Sequence, residues 1–181
     1  MTQPTEQRLC QLESRVAIDQ LIARYGFAVD NRDVDALADC FTPDATVRSL
    51  DGVMNSQGRA AIIEMYRGRF AALGPTFHFT HDRIVEFDAA DALSATGLVA
   101  AHAEVVRNSA TMLAAIRYQD RYRHESGRWR VAERVLGFLY YTPAAQYVDT
   151  MKSTLRQRAY GDQRPADWPE ALASWQRYQR S

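Results

Sequence analysis

The chain has 181 residues, of which 46% are hydrophobic and 24% charged, and its 22 Lys and Arg residues balance 22 Asp and Glu residues. This length and composition predict one domain with an ordinary soluble core. The zero net charge argues against nucleic acid, a membrane surface or a polyanion as partner.

Cys10 and Cys40 have neither metal-binding nor redox spacing, so we interpret them as reduced thiols. Residues 1–15 lack the apolar segment of a signal peptide. The sequence contains no apolar run that approaches the roughly 20 residues of a transmembrane helix. These features together predict a cytoplasmic protein.

The first part of the chain predicts three helices and a short strand. Apolar residues spaced three or four apart indicate a long helix over residues 6–30. Asp33 is a plausible N-cap for a second helix over 34–41. A turn at 42–44 leads into a strand over 45–50, and helical spacing returns over 58–73.

The second part changes character and predicts four long strands joined by short turns. The strands cover residues 76–87, 94–107, 111–124 and 128–141. Such short connections imply antiparallel neighbours. Helices grouped ahead of a meander favour an α+β domain, in which a long helix packs in a curved, mostly antiparallel sheet and a pocket lies between them.

We place this domain at residues 1–145 and a C-terminal helical extension at 146–181. The extension is predicted to contain one helix at about 148–160 and another near 169–178. Trp168 and Trp175 would carry it back onto the body or onto a neighbouring subunit. Its aromatic residues, and the long sheet, also lead us to predict a homo-oligomer, either a dimer or a trimer.

Several stretches resemble the SnoaL-like families of the NTF2-like superfamily, over roughly residues 10–145. They are the 17–25 helix segment, the helix end at 28–30, Phe41-Thr42-Pro43-Asp44-Ala45, the segments 58–62 and 76–79, and Gly127-Arg128-Trp129-Arg130-Val131. The resemblance implies a cone-shaped α+β barrel. The members similar in catalytic layout are scytalone dehydratase, bile-acid 7α-dehydratase and hexachlorocyclohexane dehydrochlorinase, in which an Asp orients a His that takes a proton from carbon.

Asp30 and His78 stand at the positions of that Asp and that His. A carboxylate bonded to one imidazole nitrogen fixes the tautomer and raises the basicity of the other nitrogen. The resemblance therefore implies that His78 is the general base and Asp30 its partner. From the residues alone, Asp30 could instead cap a helix, and His78 could be a core histidine bonded to backbone.

Tyr25 matches a pocket tyrosine of the bile-acid dehydratase, so the resemblance implies that its phenol polarises a substrate oxygen. Five residues turn an ideal helix by about 500°, which puts Tyr25 and Asp30 about 140° apart. The length of Tyr25, or a bend in the helix, would be needed for both to reach one cavity. The alternative is a core tyrosine.

Arg134 matches a pocket arginine of the dehydrochlorinase and would stabilise a developing negative charge or a leaving anion. Strict alternation places Arg130, Ala132, Arg134 and Leu136 on one face of the last strand. An arginine among so many apolar neighbours needs an anionic partner. The equally weighted alternative is an ion pair with Glu133, Glu104 or Asp120.

Three further residues are predicted to contact substrate: Tyr118, His102 and Phe77. His81 lies three residues after His78, so strand alternation sends it to the opposite face, where it would be structural or part of an interface. For the same reason His78 and His81 are a poor metal pair, and we predict neither a metal nor a cofactor.

The leading functional hypothesis is a cofactor-independent lyase of the dehydratase type, acting on a small, mostly apolar cyclic substrate such as a steroid or polyketide. One alternative is an isomerase or cyclase of the ketosteroid isomerase or polyketide cyclase type, in which the base returns its proton to the substrate. Another is a non-catalytic ligand-binding or assembly module. A cavity filled by side chains would favour this last alternative.

Overall fold

A computed structural model describes residues 4–181 of the chain. It confirms the α+β class, with helices that precede and cover a six-stranded sheet. In chain order the elements are α1 (Thr5–Asp30), α2 (Val34–Asp39), β1 (Phe41–Ser49), β2 (Asn55–Gln57), α3 (Arg59–Ala72), β3 (Leu73–Phe87), β4 (Ser94–Arg107), β5 (Ala110–Glu125), β6 (Arg128–Pro143), α4 (Tyr147–Thr150) and α5 (Ala173–Tyr178).

The strands lie in the order β2-β1-β6-β5-β4-β3. All neighbours are antiparallel except β1 and β6, which run parallel. The predicted meander is confirmed as β3 to β6, and its long strands form one side of the domain. Helix α1 packs against β3 and β6, and α3 packs against β1, so the core lies between helices and sheet.

Two of the predicted turns are tight hairpin connections. Asn108 and Ser109 have φ of 50° and 61°, and Ser126 and Gly127 have φ of 51° and 77°. Two consecutive residues with positive φ form the turn that matches the right-handed twist of paired strands. This turn geometry sets the register of β4 on β5 and of β5 on β6.

Helix α1 is buried only along its second half. Its fully buried residues begin at Ile18 and continue to Val29, whereas Leu9, Leu12 and Val16 are each more than half exposed. The apolar stripe predicted for residues 6–30 is therefore longer than the part that the sheet covers. The predicted N-cap of α2 is confirmed, because Asp33 Oδ1 accepts the Ala36 N–H at 2.9 Å.

The sequence prediction was wrong in the region of β1 and β2. The predicted turn at 42–44 lies inside β1, and Asn55–Gln57 forms an unpredicted edge strand. Pro43 fits here because the pairing of β1 with β6 shifts register between Phe41 and Thr46. Proline is accepted in a strand at such an irregularity, where no ladder hydrogen bond is needed from its nitrogen.

The helix predicted at about 148–160 is also wrong beyond its first turn. Only Tyr147–Thr150 is helical, and the following chain is irregular. Gln157 forms an isolated parallel bridge to Tyr141, and the buried Arg156 binds the Glu170 carboxylate and the Leu139 carbonyl. These contacts hold residues 151–170 against β6, and they outweigh the local preference for a helix.

The end of the extension is helical only over Ala173–Tyr178. Trp168 packs on the body beneath the Arg117 guanidinium, 3.8 Å from its ring centroid, while Trp175 is 40% exposed. Across residues 4–181, none of the helices is both long enough and apolar enough to cross a membrane.

Candidate active site

A cavity of about 60 Å³ lies between α1, α3 and the inner face of the sheet. Ten of its lining residues are apolar. The remainder are polar: Tyr25, Arg32, Tyr66, Arg69, Thr76, His78, Tyr118 and Tyr141. Pockets for drug-sized ligands measure roughly 300–1,000 Å³. An engineered cavity of about 150 Å³ holds benzene. The lining of this smaller cavity therefore has to move to admit even a single six-membered ring.

Asp30 and His78 are in direct contact at this cavity. The Asp30 Oδ1 lies 2.6 Å from His78 Nδ1, and Oδ2 accepts the backbone N–H of His78 at 2.8 Å. A carboxylate accepts hydrogen bonds, so Nδ1 carries the proton and the lone pair remains on Nε2. Both side chains are nearly buried, at 11% and 12% exposure, and His78 lines the cavity.

The surroundings of Asp30 keep it ionised. Burial by itself raises the pKa of this carboxyl group, but the hydrogen bonds from the His78 ring, the His78 backbone and the Thr76 hydroxyl outweigh burial. The pKa of Asp30 therefore lies below its ordinary 3.8. A permanent negative charge at this position stabilises an imidazolium on His78 whenever His78 accepts a proton.

Tyr25 lines the cavity although it lies on a different face of α1 from Asp30. Asp30 acts from behind His78, so the two side chains need not share a face, and no bend in the helix is required. The Tyr25 hydroxyl lies 2.6 Å from the Tyr66 hydroxyl of α3. Burial raises the pKa of Tyr66, so the Tyr66 phenol remains protonated.

Arg134 is completely buried behind the cavity wall and is not among its lining residues. Its Nε and Nη2 bind the two oxygens of Asp120 at 2.8 and 2.6 Å, so Asp120 is the anionic partner among the three predicted. Its guanidinium also lies over the rings of Tyr25 and Tyr118, 4.1 and 4.3 Å from their centroids. The predicted direct contact with a leaving group is at odds with this position.

The strict alternation predicted for the last strand fails at Ala132. The pairing of β5 with β6 passes from Tyr122–Val131 to Arg121–Glu133, which leaves Ala132 as an extra residue. Trp129 and Val131 point inward before this bulge, and Arg134 and Leu136 point inward after it. A bulge inserts one residue and so reverses which side chains face the core.

Phe77 and His102 were predicted to contact substrate, but the structure places both on the outer face of the sheet. Phe77 is 50% exposed and alternates with the inward-facing His78. His102 pairs with Phe79 across β3 and β4, and its Nδ1 lies 2.8 Å from Nε2 of the exposed His81. Successive residues of a strand face opposite ways, so neither can reach the cavity from these registers. Tyr118, in contrast, lines it.

Five polar cavity residues were not predicted as site residues: Thr76, Tyr66, Tyr141, Arg32 and Arg69. Alternation from His78 already placed Thr76 on the same strand face, and its hydroxyl donates to Asp30 Oδ1 at 2.8 Å. Tyr66 lies within the helix predicted over residues 58–73, where its helical spacing indicated a core residue. The two arginines had no local signal, because their position depends on how α1 and α3 meet β3.

Comparison with known proteins supports the fold. Gamma-hexachlorocyclohexane dehydrochlorinase of Sphingobium indicum is 28% identical over 141 residues, which cover 76% of this chain and 88% of that protein. The crystal structure of LinA superimposes with a TM-score of 0.71 at 24% identity, covering 77% of this chain and 95% of LinA. A scytalone dehydratase-like protein of Novosphingobium aromaticivorans gives 0.66 at 19% identity, covering 77% and 91%.

These structural neighbours confirm the predicted NTF2-like architecture of a long helix against a curved sheet. The family model described as a SnoaL-like domain matches residues 10–135, more than two thirds of the chain and all of the residues that form the Asp30–His78 contact. The chain therefore belongs to the SnoaL-like family.

Proposed function

We propose that this protein is a cofactor-independent lyase that eliminates a leaving group from a compact cyclic substrate. The observation that supports this most directly is the contact of the Asp30 carboxylate with His78 Nδ1 at the wall of a cavity. Two relatives, from two strains of Sphingobium indicum, are dehydrochlorinases of hexachlorocyclohexane. Dehydrochlorination is an elimination reaction.

The proposed reaction begins when the lone pair on His78 Nε2 takes a proton from a ring carbon. The electrons of the broken C–H bond form a C=C bond, and the leaving group departs from the neighbouring carbon with its bonding pair. Asp30 stabilises the imidazolium that results. A positioned base of this kind contributes on the order of 10²–10⁴ in rate.

Tyr25 is the proposed donor to the substrate. Its hydroxyl can hydrogen-bond a carbonyl that acidifies the C–H bond, or a departing hydroxyl group. Tyr66 would orient this phenol through their 2.6 Å contact. The buried Arg134 lies against both the Tyr25 and Tyr118 rings, so we assign it the function of positioning them rather than touching substrate.

The test uses a panel of cyclic β-hydroxy ketones and chlorinated cyclohexanes, with product analysis by mass spectrometry. Loss of water or HCl identifies elimination, whereas a product of unchanged mass would identify an isomerase or cyclase. His78→Ala and Asp30→Asn should each lower kcat by on the order of 10²–10⁴. The matched control is His81→Ala, the same change at an exposed site of the same strand. Near-full turnover in either His78→Ala or Asp30→Asn would refute the mechanism.

A further inference from the structure

The charges around the cavity are unbalanced. Its lining includes two guanidinium groups, those of Arg32 and Arg69, and no Asp or Glu among the described residues. Asp30 lies behind His78, and its two oxygens are engaged by His78 and Thr76. Arg134 lies outside the lining and is neutralised by Asp120. Positive charge therefore remains at the cavity after the ion pairs are counted.

Arg32 is held in place by groups that do not neutralise it. It lies in the turn after α1 with φ of 58°, and its Nη2 donates to the Gly74 carbonyl at 2.5 Å. Its guanidinium lies over the Phe70 ring, 4.5 Å from the centroid. The Nη1 atom is buried and has no hydrogen-bond partner among the described residues. A buried donor without an acceptor is unfavourable unless water or a ligand satisfies it.

Arg69, on α3, is likewise surrounded by neutral groups. Its neighbours are the phenols of Tyr66, Tyr141 and Tyr160. Neither Arg32 nor Arg69 forms a salt bridge within residues 4–181. Phenols are uncharged at neutral pH, so they orient this guanidinium without cancelling its charge.

From this geometry we infer that the cavity binds a compact carboxylate, with the carboxylate held by Arg32 and Arg69 and the apolar ring directed toward His78. A guanidinium presents N–H groups in a planar fork that matches a carboxylate. The ten apolar lining residues suit an apolar ring, and the cavity of about 60 Å³ has to widen to admit one. As a statement about the substrate, this inference rests on the proposed lyase function, but the binding itself does not require turnover.

The experiment compares two probes of nearly equal shape, cyclohexanecarboxylate and cyclohexanecarboxamide, by chemical-shift titration of the full-length ¹⁵N-labelled protein. The carboxylate should bind at least about tenfold more tightly, as expected for hydrogen bonds to a charged group. Arg69→Gln and Arg32→Gln should each reduce the preference for the carboxylate to about threefold or less. Added NaCl should weaken the binding of the carboxylate and leave the binding of the carboxamide unchanged. Arg67→Gln, an exposed change on the same helix, should leave the preference unchanged.

Equal affinity for the two probes in the wild-type protein would overturn the inference. So would a preference that survives both Arg32→Gln and Arg69→Gln. Failure of the carboxylate to bind up to about 10 mM, which is weaker than a specific site requires, would also overturn it. Arg69 forms no bond that holds the backbone of β3, so Arg69→Gln remains informative even if Arg32→Gln fails to fold. Because the titration measures binding and not turnover, its result can be interpreted even if the proposed lyase mechanism is wrong.

Discussion

The Asp30 carboxylate binds His78 at two points, with Oδ1 2.6 Å from the ring Nδ1 and Oδ2 2.8 Å from the backbone nitrogen. One side chain at the end of α1 therefore positions both the backbone of β3 and the imidazole that this strand carries. The arrangement restrains the ring and assigns its free lone pair to Nε2.

The first prediction concerns the pH dependence of this contact. Because the pKa of Asp30 in the folded protein lies below its ordinary 3.8, its ionised form stabilises the fold above that pH, and this contribution is lost as pH falls through the lower folded value. Urea denaturation should find Asp30→Asn less stable than wild type at neutral pH, with the difference shrinking between about pH 5 and pH 2. Asp82→Asn, an exposed change on β3, should show little effect. A pH-independent difference would contradict the prediction.

The second prediction concerns the buried pair of Arg134 and Asp120. Both side chains have no exposed surface, so Arg134→Met leaves an unpaired buried carboxylate and should lower the free energy of unfolding by about 3–5 kcal/mol. Arg134→Met/Asp120→Asn removes that charge and should recover part of the loss. Arg48→Met breaks the half-exposed contact with Glu133 and should change stability by less than about 1 kcal/mol. Similar losses of unfolding free energy in Arg134→Met and Arg48→Met would contradict the prediction.

The third prediction concerns the hydroxyl pair of Tyr25 and Tyr66. Tyr25→Phe or Tyr66→Phe leaves the other buried hydroxyl without this partner. Each substitution should lower the free energy of unfolding by about 1–2 kcal/mol. The double variant should lose less than the sum, because it leaves neither hydroxyl unpaired. A double-mutant cycle in denaturant measures the coupling. Strictly additive effects would mean that the 2.6 Å contact contributes nothing.

The fourth prediction contrasts two glycines. A Cβ at Gly97 would lie 2.6 Å from Tyr122, which is buried and donates a hydrogen bond to Asp120, so Gly97→Ala should destabilise by about 1–3 kcal/mol. Gly68 lies inside α3 with nothing within 4 Å of an added Cβ, so Gly68→Ala should stabilise by about 0.5–1 kcal/mol. Thermal unfolding of the two variants should move Tm in opposite directions, and a shift in the same direction would contradict the packing described.

The fifth prediction concerns the two histidines on the outer face. Burial, and then the adjacent His81, lower the pKa of His102 below its ordinary 6.5. The His102 imidazole should therefore titrate below pH 6.5 when followed by NMR. His81→Gln removes the effect of the adjacent imidazole and should raise the titration midpoint of His102. The midpoint should stay below 6.5, because the burial of His102 remains. An unchanged midpoint would show that the contact between Nε2 of His81 and Nδ1 of His102 is not maintained in solution.

Local patterns were sufficient for most of the fold. The spacing in α1 and the tight turns at Asn108 and at Gly127 predict the elements because each depends on neighbours a few residues away. The tail from Met151 to Glu170 was mispredicted because its conformation follows from the Gln157 bridge and from Arg156, which are contacts with distant strands.

The candidate site shows the same division. Alternation along β3 was sufficient to predict that His78 and His81 face opposite ways, since the side-chain period of a strand is two. The family resemblance, and not alternation, indicated that His78 is the inward-facing one. The sequence alone did not bring Asp30 to His78. That contact spans 48 residues and depends on α1 packing against β3. Resemblance to a family suggested the pair, and the tertiary structure shows the two side chains in contact.

What the sequence by itself determined is therefore the long helix α1, the four long strands of the meander and the residue types available on each. Only the tertiary structure decided three further matters: that Arg134 is neutralised by Asp120, that the bulge at Ala132 reverses the face of β6, and that Arg32 and Arg69 line the cavity with no acidic partner within residues 4–181. The physical reason is that charge pairing and strand register are set by distant residues, whose approach depends on the packing of the whole domain.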